Sequence, residues 1–196
     1  MSRKVPKPQP IDEDGLFAGV QTTPGGYAVD EVSSAMQKSI RRNLEEDALY
    51  WAGEFYGARP HGLWKRLRVI ASEDVGMAAV SAVMTVRALY ENWKQDHDFL
   101  YIAHAVILLV RAKKSHIVVN AAVAVNEGLL PKREVPDYAI DRHTERGRIK
   151  MGRGYSHFLN EGARLGNEIS EADPYGPRVR KDLLNEQVGL ELVKET

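Results

Sequence analysis

The sequence predicts an all-α fold: a helical bundle followed by an irregular strap rich in glycine and arginine. Three observations predict it. Between Asp30 and Leu130, apolar residues recur at the three- and four-residue spacing of a helix with one buried face. No hairpin signal and no run of short alternating strands occurs along the chain. After Pro131 the periodic spacing dissolves into glycine, proline and charge.

Each segment has its reason. Residues 1–28 hold Pro6, Pro8, Pro10, Pro24, Gly25 and Gly26 among scattered charges. They carry too few large apolar side chains to offset the entropy of ordering, so a flexible arm is expected, with docking on a partner as the alternative. Residues 29–130 form the expected helical core. "VDEVSSAMQKSIRRN" puts Val32, Ala35, Met36 and Ile40 on one side, with Asp30 as N-cap. "EEDALYWAGEFYGARP" lines up Ala48, Trp51, Ala52 and Phe55, with Gly57 and Pro60 as stop signals. "HGLWKRLRVIA" carries Leu63, Leu67, Ile70 and Ala71, and "AAVSAVMTVRALYENWKQ" carries Ala82, Val86, Leu89, Tyr90 and Trp93. "DFLYIAHAVILLVRAKK" is apolar almost all round, which predicts a central buried helix with His104 satisfied in the core. "HIVVNAAVAVNEGLL" has β-branched residues suited to a strand, but its alanines and length favour a helix closed by Gly128 and Pro131. Residues 131–177 are expected to be an irregular strap packed on the core, too long for an idle loop. Residues 178–196 form a C-terminal helix and tail.

Composition narrows the function classes. The 196 residues suit one domain, and 27 Lys+Arg balance 27 Asp+Glu, so no global charge argues for nucleic acid. The absence of cysteine excludes disulfides, thiolate metal sites and thiol nucleophiles, and suits a reducing cytoplasm. "MSRKVPKPQP" lacks the apolar core of a secretory signal, and "RAKKSH" breaks the most apolar stretch, so no membrane association is expected.

Several clusters are candidates for function. Glu73 and Asp74 follow an apolar helical face, where the backbone dipole disfavours acids. Either Ser72 caps a new helix whose first turn welcomes them, or the helix runs on to Val75, Gly76 ends it, and cations hold the acids. Lys113 and Lys114 are the nearest such cations in character. Tyr50 and Trp51, with Phe55 and Tyr56, belong to the core or a subunit interface. Arg142, Arg146, Arg148, Lys150 and Arg153 crowd a Gly-rich run, suited to phosphate or a DNA backbone, with Tyr155, His157 and Phe158 available to stack on bases. The competing reading ties these arginines to Glu73 and Asp74. Asp141, His143, His157 and Glu161 have metal-ligand chemistry, but no HExxH occurs and hydrogen-bonded structural roles suit them better. No catalytic residue, metal or cofactor is assigned.

Four motifs fall in a familiar order: "DALYWAGEF", "RLRVIASEDVG", "IAHAVILLVRAKKS" and "VPDYAIDRHTERGRIKMGRGYSHF". With "KSIRR" at 38–42, they resemble the C-terminal region of the replication-associated recombination AAA+ ATPases, the RarA, MgsA and Werner-helicase-interacting group. The resemblance covers residues 30 to about 160. It implies a helical collar that self-associates, with a tetramer favoured, behind a motor that works at stalled forks with DNA ends and single-strand binding protein. The family's "APKS" is "AKKS" here, and its "YPHD" is "SHFLNEG". The sequence has no GxxxxGK[ST] phosphate loop, so ATPase activity is not transferred and no enzyme is expected. The expected function is a self-associating scaffold in DNA replication or repair, with DNA or a replication or repair protein as partner. Alternatives are a DNA-backbone-binding module, a metal- or nucleotide-using enzyme built on residues 141–161, or an adaptor acting through the arm.

Overall fold

The computed structural model describes residues 22–194, with side chains through Glu186. The chain divides into two units, Met1–Leu130 and Pro131–Thr196. The fold is all-α, and among the described residues the only β pairing is an isolated antiparallel bridge between Thr22 and Ala28.

In the first unit, residues 22–28 are ordered, although they fall in the stretch expected to be an arm; residues 1–21 lie outside the described residues. Gly26, at φ +83°, closes a tight turn by donating its N–H to the Thr23 carbonyl at 2.8 Å. The turn is pinned to the second helix, because Thr23 Oγ1 and Gly25 N both donate to Glu54 Oε2, at 2.8 and 2.7 Å. Helix α1 (Val29–Arg41) therefore starts just after the bridge, with extended Ala28 as its N-cap. The expected cap, Asp30, lies inside the first turn beside Glu31, where the helix dipole favours both acids.

Helices α2 (Glu45–Ala58) and α3 (Pro60–Ile70) are separated by Arg59, and Pro60 opens α3 where its missing N–H has no helical partner to lose. Helix α4 (Val80–Asp96) ends on His97 in the left-handed conformation, and Asp98 caps α5 (Phe99–Arg111) by accepting from Leu100 N at 2.8 Å. Met36, Ile40, Leu63, Leu67, Ile70 and Trp93, all on stripes read from the spacing, are fully buried, and so are Trp64, Ile102 and Leu109. Helix α5 packs against α1, α2, α3 and α4, but on one face only. Its other face is open: Leu100 is 66% exposed, and His104 is exposed rather than a core histidine. A helix cannot meet neighbours all round when the surrounding helices lie to one side. Helix α6 (Ile117–Asn126) settles the strand-or-helix question for its segment; it packs beside the turn at 71–78 and buries none of its own residues.

The second unit is irregular at first. A 3-10 turn (Asp137–Ala139), a π turn (Arg146–Lys150) and a short helix, α7 (Tyr155–His157), running into a second π turn (Phe158–Gly162) precede helix α8 (Gly176–Lys194). No helix among the described residues is long and apolar enough to cross a membrane.

Candidate functional site

The acidic pair takes the second of its two courses. Helix α3 continues into a π turn, Ala71–Val75, and Gly76 ends it at φ +47°. A side chain there would suffer twice, since L-residues avoid this backbone region and a Cβ would stand 3.0 Å from Val118 Cγ2. Asp74 is fully buried. Its Oδ2 accepts from Gln37 Nε2 at 2.9 Å, and its Oδ1 accepts from Arg41 Nε at 2.6 Å and faces His116 Nε2 at 3.1 Å. The Arg41 guanidinium also donates from Nη2 to Glu73 Oε1 at 2.7 Å, so one cation spans both acids. The Asp74 carbonyl accepts from Ser115 N at 2.9 Å. A buried carboxylate needs this many donors, because desolvation otherwise costs more than pairing returns. The result is a knot joining α1, the end of α3 and the segment that leads into α6.

The cations expected here were Lys113 and Lys114 or the strap arginines; the groups found are Arg41, Gln37 and His116. Lys113 is exposed. Lys114 Nζ turns to Asn43 Oδ1 at 2.5 Å and to the carbonyls of Val110 and Ala112 at 2.8 and 3.1 Å, which satisfies the end of α5 instead. Partial burial lowers its pKa, and the charge of Asp74 opposes that shift. Sequence reasoning passed over Gln37 and Arg41, yet they stand four apart within "QKSIRR" and so share one face of α1. Nothing in the sequence pointed to His116.

The aromatic stripe of α2 divides. Phe55 and Tyr56 are buried, and Tyr56 donates its hydroxyl to the His97 carbonyl at 2.7 Å. Trp51 is half-buried, edge-on to Tyr50 and to Tyr27. Tyr50 is 42% exposed, its hydroxyl 3.1 Å from that of Tyr27.

In the second unit the five basic candidates part company. The Arg142 guanidinium stacks on the Tyr155 ring, 3.4 Å from its centroid. Arg153 braces the irregular chain, donating to the carbonyls of Asp137 and Ile140 at 2.8 and 2.5 Å and to Asp137 Oδ1 at 2.6 Å. Arg146, Arg148 and Lys150 are exposed together on one π turn. The four candidate metal ligands do not converge. Asp141 accepts from His143 N at 2.9 Å and faces His143 Nδ1 at 3.0 Å, His157 lies 3.6 Å from Asp137, and Glu161 pairs with Arg164 at 3.2 Å. Hydrogen bonding to His143 holds the Asp141 pKa below the usual carboxylate value, and hydrogen bonding to Arg153 does the same for Asp137. Among the described residues no group of three such side chains is placed to hold a metal ion.

Residues 45–169 match the family described as MgsA AAA+ ATPase C terminal, which is well over half of the chain. Replication-associated recombination protein A from Escherichia coli K12 is 28% identical over 182 residues, covering 89% of this chain and 40% of the relative. The protein of the same name from Bacillus subtilis is 32% identical over 150 residues, covering 70% of this chain and 35% of that one. An AAA domain-containing protein from Mycobacterium tuberculosis is 31% identical over 187 residues, 88% of this chain and 41% of its own length. The chain thus spans about two fifths of the curated relatives it matches.

Proposed function

We propose that this chain, which belongs to the MgsA AAA+ ATPase C-terminal family, is a non-enzymatic, self-associating collar that serves DNA replication or repair. The observation that carries the reading is helix α6. Apart from Asn120 and Asn126 every one of its residues is apolar, none is buried, and Leu129 and Leu130 follow at 68% and 61% exposure. A monomer in water rarely leaves so continuous an apolar run uncovered, and copies of the same chain are the simplest cover. The buried Asp74 knot supports the same role, because it fixes the segment from which α6 starts. The replication setting comes from the relatives' names, and the tetramer from the family resemblance. Within these 196 residues no GxxxxGK[ST] loop is available to cradle nucleotide phosphates, so the proposed role involves no hydrolysis by these residues.

Light scattering at micromolar concentration tests it: the chain is expected to be a multimer. Val123→Asp with Val125→Asp, at positions 47% and 62% exposed, should weaken association by well over tenfold, since each buried acid costs more than about 1.4 kcal/mol. Because neither side chain is buried, the helical content should not change. A strict monomer before mutation would remove the collar.

A second reading rests on the exposure of Arg146, Arg148 and Lys150 beside one another: a contact to the DNA backbone. Arg146→Glu with Arg148→Glu should then weaken binding across all sequences and flatten its dependence on salt by about one unit of log–log slope per lost contact. Unchanged binding would end this reading.

A further inference from the structure

A cleft of about 620 Å³ opens where α1, α2 and α3 meet. Val29, Phe55 and Val69 make it apolar, while Arg59, Lys65 and Arg66 make its rim basic, opposed only by Asp30 among the lining side chains. The Nε of Arg66 is buried with no hydrogen-bond partner among the described residues, a donor left waiting for an acceptor. Gly62 also lines the cleft. A Cβ here would stand 3.3 Å from Arg59 Cβ and 3.6 Å from the Phe55 ring, so a side chain would crowd this wall. The chemistry that fits is a short acidic segment with large apolar side chains.

The chain carries such a segment itself. "IDEDGLF", residues 11–17, has Asp12, Glu13 and Asp14 beside Ile11, Leu16 and Phe17, and no lysine or arginine occurs between Pro8 and Gln21. Its route is short. Thr22 pairs antiparallel with Ala28, and Ala28 lines the cleft, so the chain enters the described structure at the cleft's edge. From Thr22, five residues of extended chain reach about 17 Å, enough to bring Phe17 over a pocket of this size. We propose that residues 11–17 of the same chain dock in this cleft, with the three acids on Arg59, Lys65 and Arg66 and the apolar side chains against Phe55 and Val69. The cleft then has an internal occupant, which any acidic ligand from outside would have to displace. This proposal stands apart from self-association through α6, and either can fail without the other.

The absence of cysteine makes disulfide trapping clean. The full chain with Gly15→Cys and Ser34→Cys places one thiol in the segment and one on the cleft wall. Mild oxidation should yield a cross-linked product that runs as a single chain on a non-reducing gel. Reversing the segment's charge with Asp12→Lys, Glu13→Lys and Asp14→Lys should slow trapping about tenfold or more, as the effective concentration at the cleft falls. Lys65→Glu with Arg66→Glu should slow it equally, and combining both reversals should restore it; if the cleft variant fails to fold, the segment variant alone decides. A trapping rate indifferent to the segment's charge would overturn the proposal. So would a product of twice the mass at high dilution, which would assign the cleft to a second copy.

Discussion

The two units are held together by opposite means. In the first, five helices bury one apolar stripe each, and the one fully buried carboxylate among the described residues, Asp74, is gripped from three sides. In the second, the buried residues among those described are Ile140, Asp141 and Gly147, and the irregular chain keeps its course through Arg153 on two carbonyls and a carboxylate. Apolar burial is insensitive to salt and moderate acid, whereas exposed charge pairs contribute little each and are screened. The core should thus answer to packing and to its one fully buried charge, and the strap to backbone sterics and pH.

The largest effect should come from the core's exception. Asp74→Ala removes the acceptor shared by Gln37, Arg41 and His116; Gln37 is left buried without a partner while Arg41 keeps Glu73, at a cost of about 1–3 kcal/mol. Urea unfolding monitored through Trp64 and Trp93, both buried, measures it. Arg41→Ala should cost more, about 3–5 kcal/mol, because it leaves a fully buried carboxylate without its cation. A loss below about 1 kcal/mol in either variant would mean the knot is ornamental and that packing alone holds the first unit.

The strap should break at a glycine. A Cβ on Gly147 would lie 1.9 Å from the Asp141 carbonyl oxygen, backbone against side chain, so the π turn must move. Gly147→Ala should cost the strap about 1–3 kcal/mol, read as faster hydrogen exchange over residues 141–153 with the unfolding midpoint of the core unchanged. A fall in both together would erase the distinction between the units.

The two units also differ in how far their sequences could be read. The core helices were legible because burial leaves a period: Leu63, Leu67 and Ile70 announce α3 without help. The outward face of α5 was not, since Leu100 and His104 sit in an apolar run whose partner helices lie on one side only. The knot was half legible. Two acids at a helix end signal a compensating charge, and Gly76 signals the stop, but which cation arrives is decided by how α1 crosses α3. Their place at the end of an apolar helix favoured Lys113 and Lys114; three-dimensional packing delivered Arg41 from "KSIRR". In the strap, residue types named the chemistry without sorting it. Nothing in "DRHTERGRIKMGRG" separates Arg142, which finds Tyr155, and Arg153, which finds carbonyls, from Arg146, Arg148 and Lys150, which stay exposed.

The smallest effect expected is on acid sensitivity. Arg153 and then His157 hold Asp137 below its ordinary value of 3.8, and His143 holds Asp141 below it likewise. A carboxyl whose pKa is lower in the folded chain binds fewer protons there than when unfolded. It stabilises the strap fully above the ordinary aspartate value, and the contribution drains away as pH falls through the depressed one. Hydrogen exchange over residues 137–158, corrected for intrinsic rates, should be level from pH 7 to about 5 and rise only in the acid limb below. Because the Asp137 side chain is 71% exposed, added salt should shrink its share, and Asp137→Asn should remove that share while leaving the part due to Asp141. Protection that stays flat through pH 3 in the unmodified chain would show that backbone sterics around Gly147, not charge, set the course of the strap.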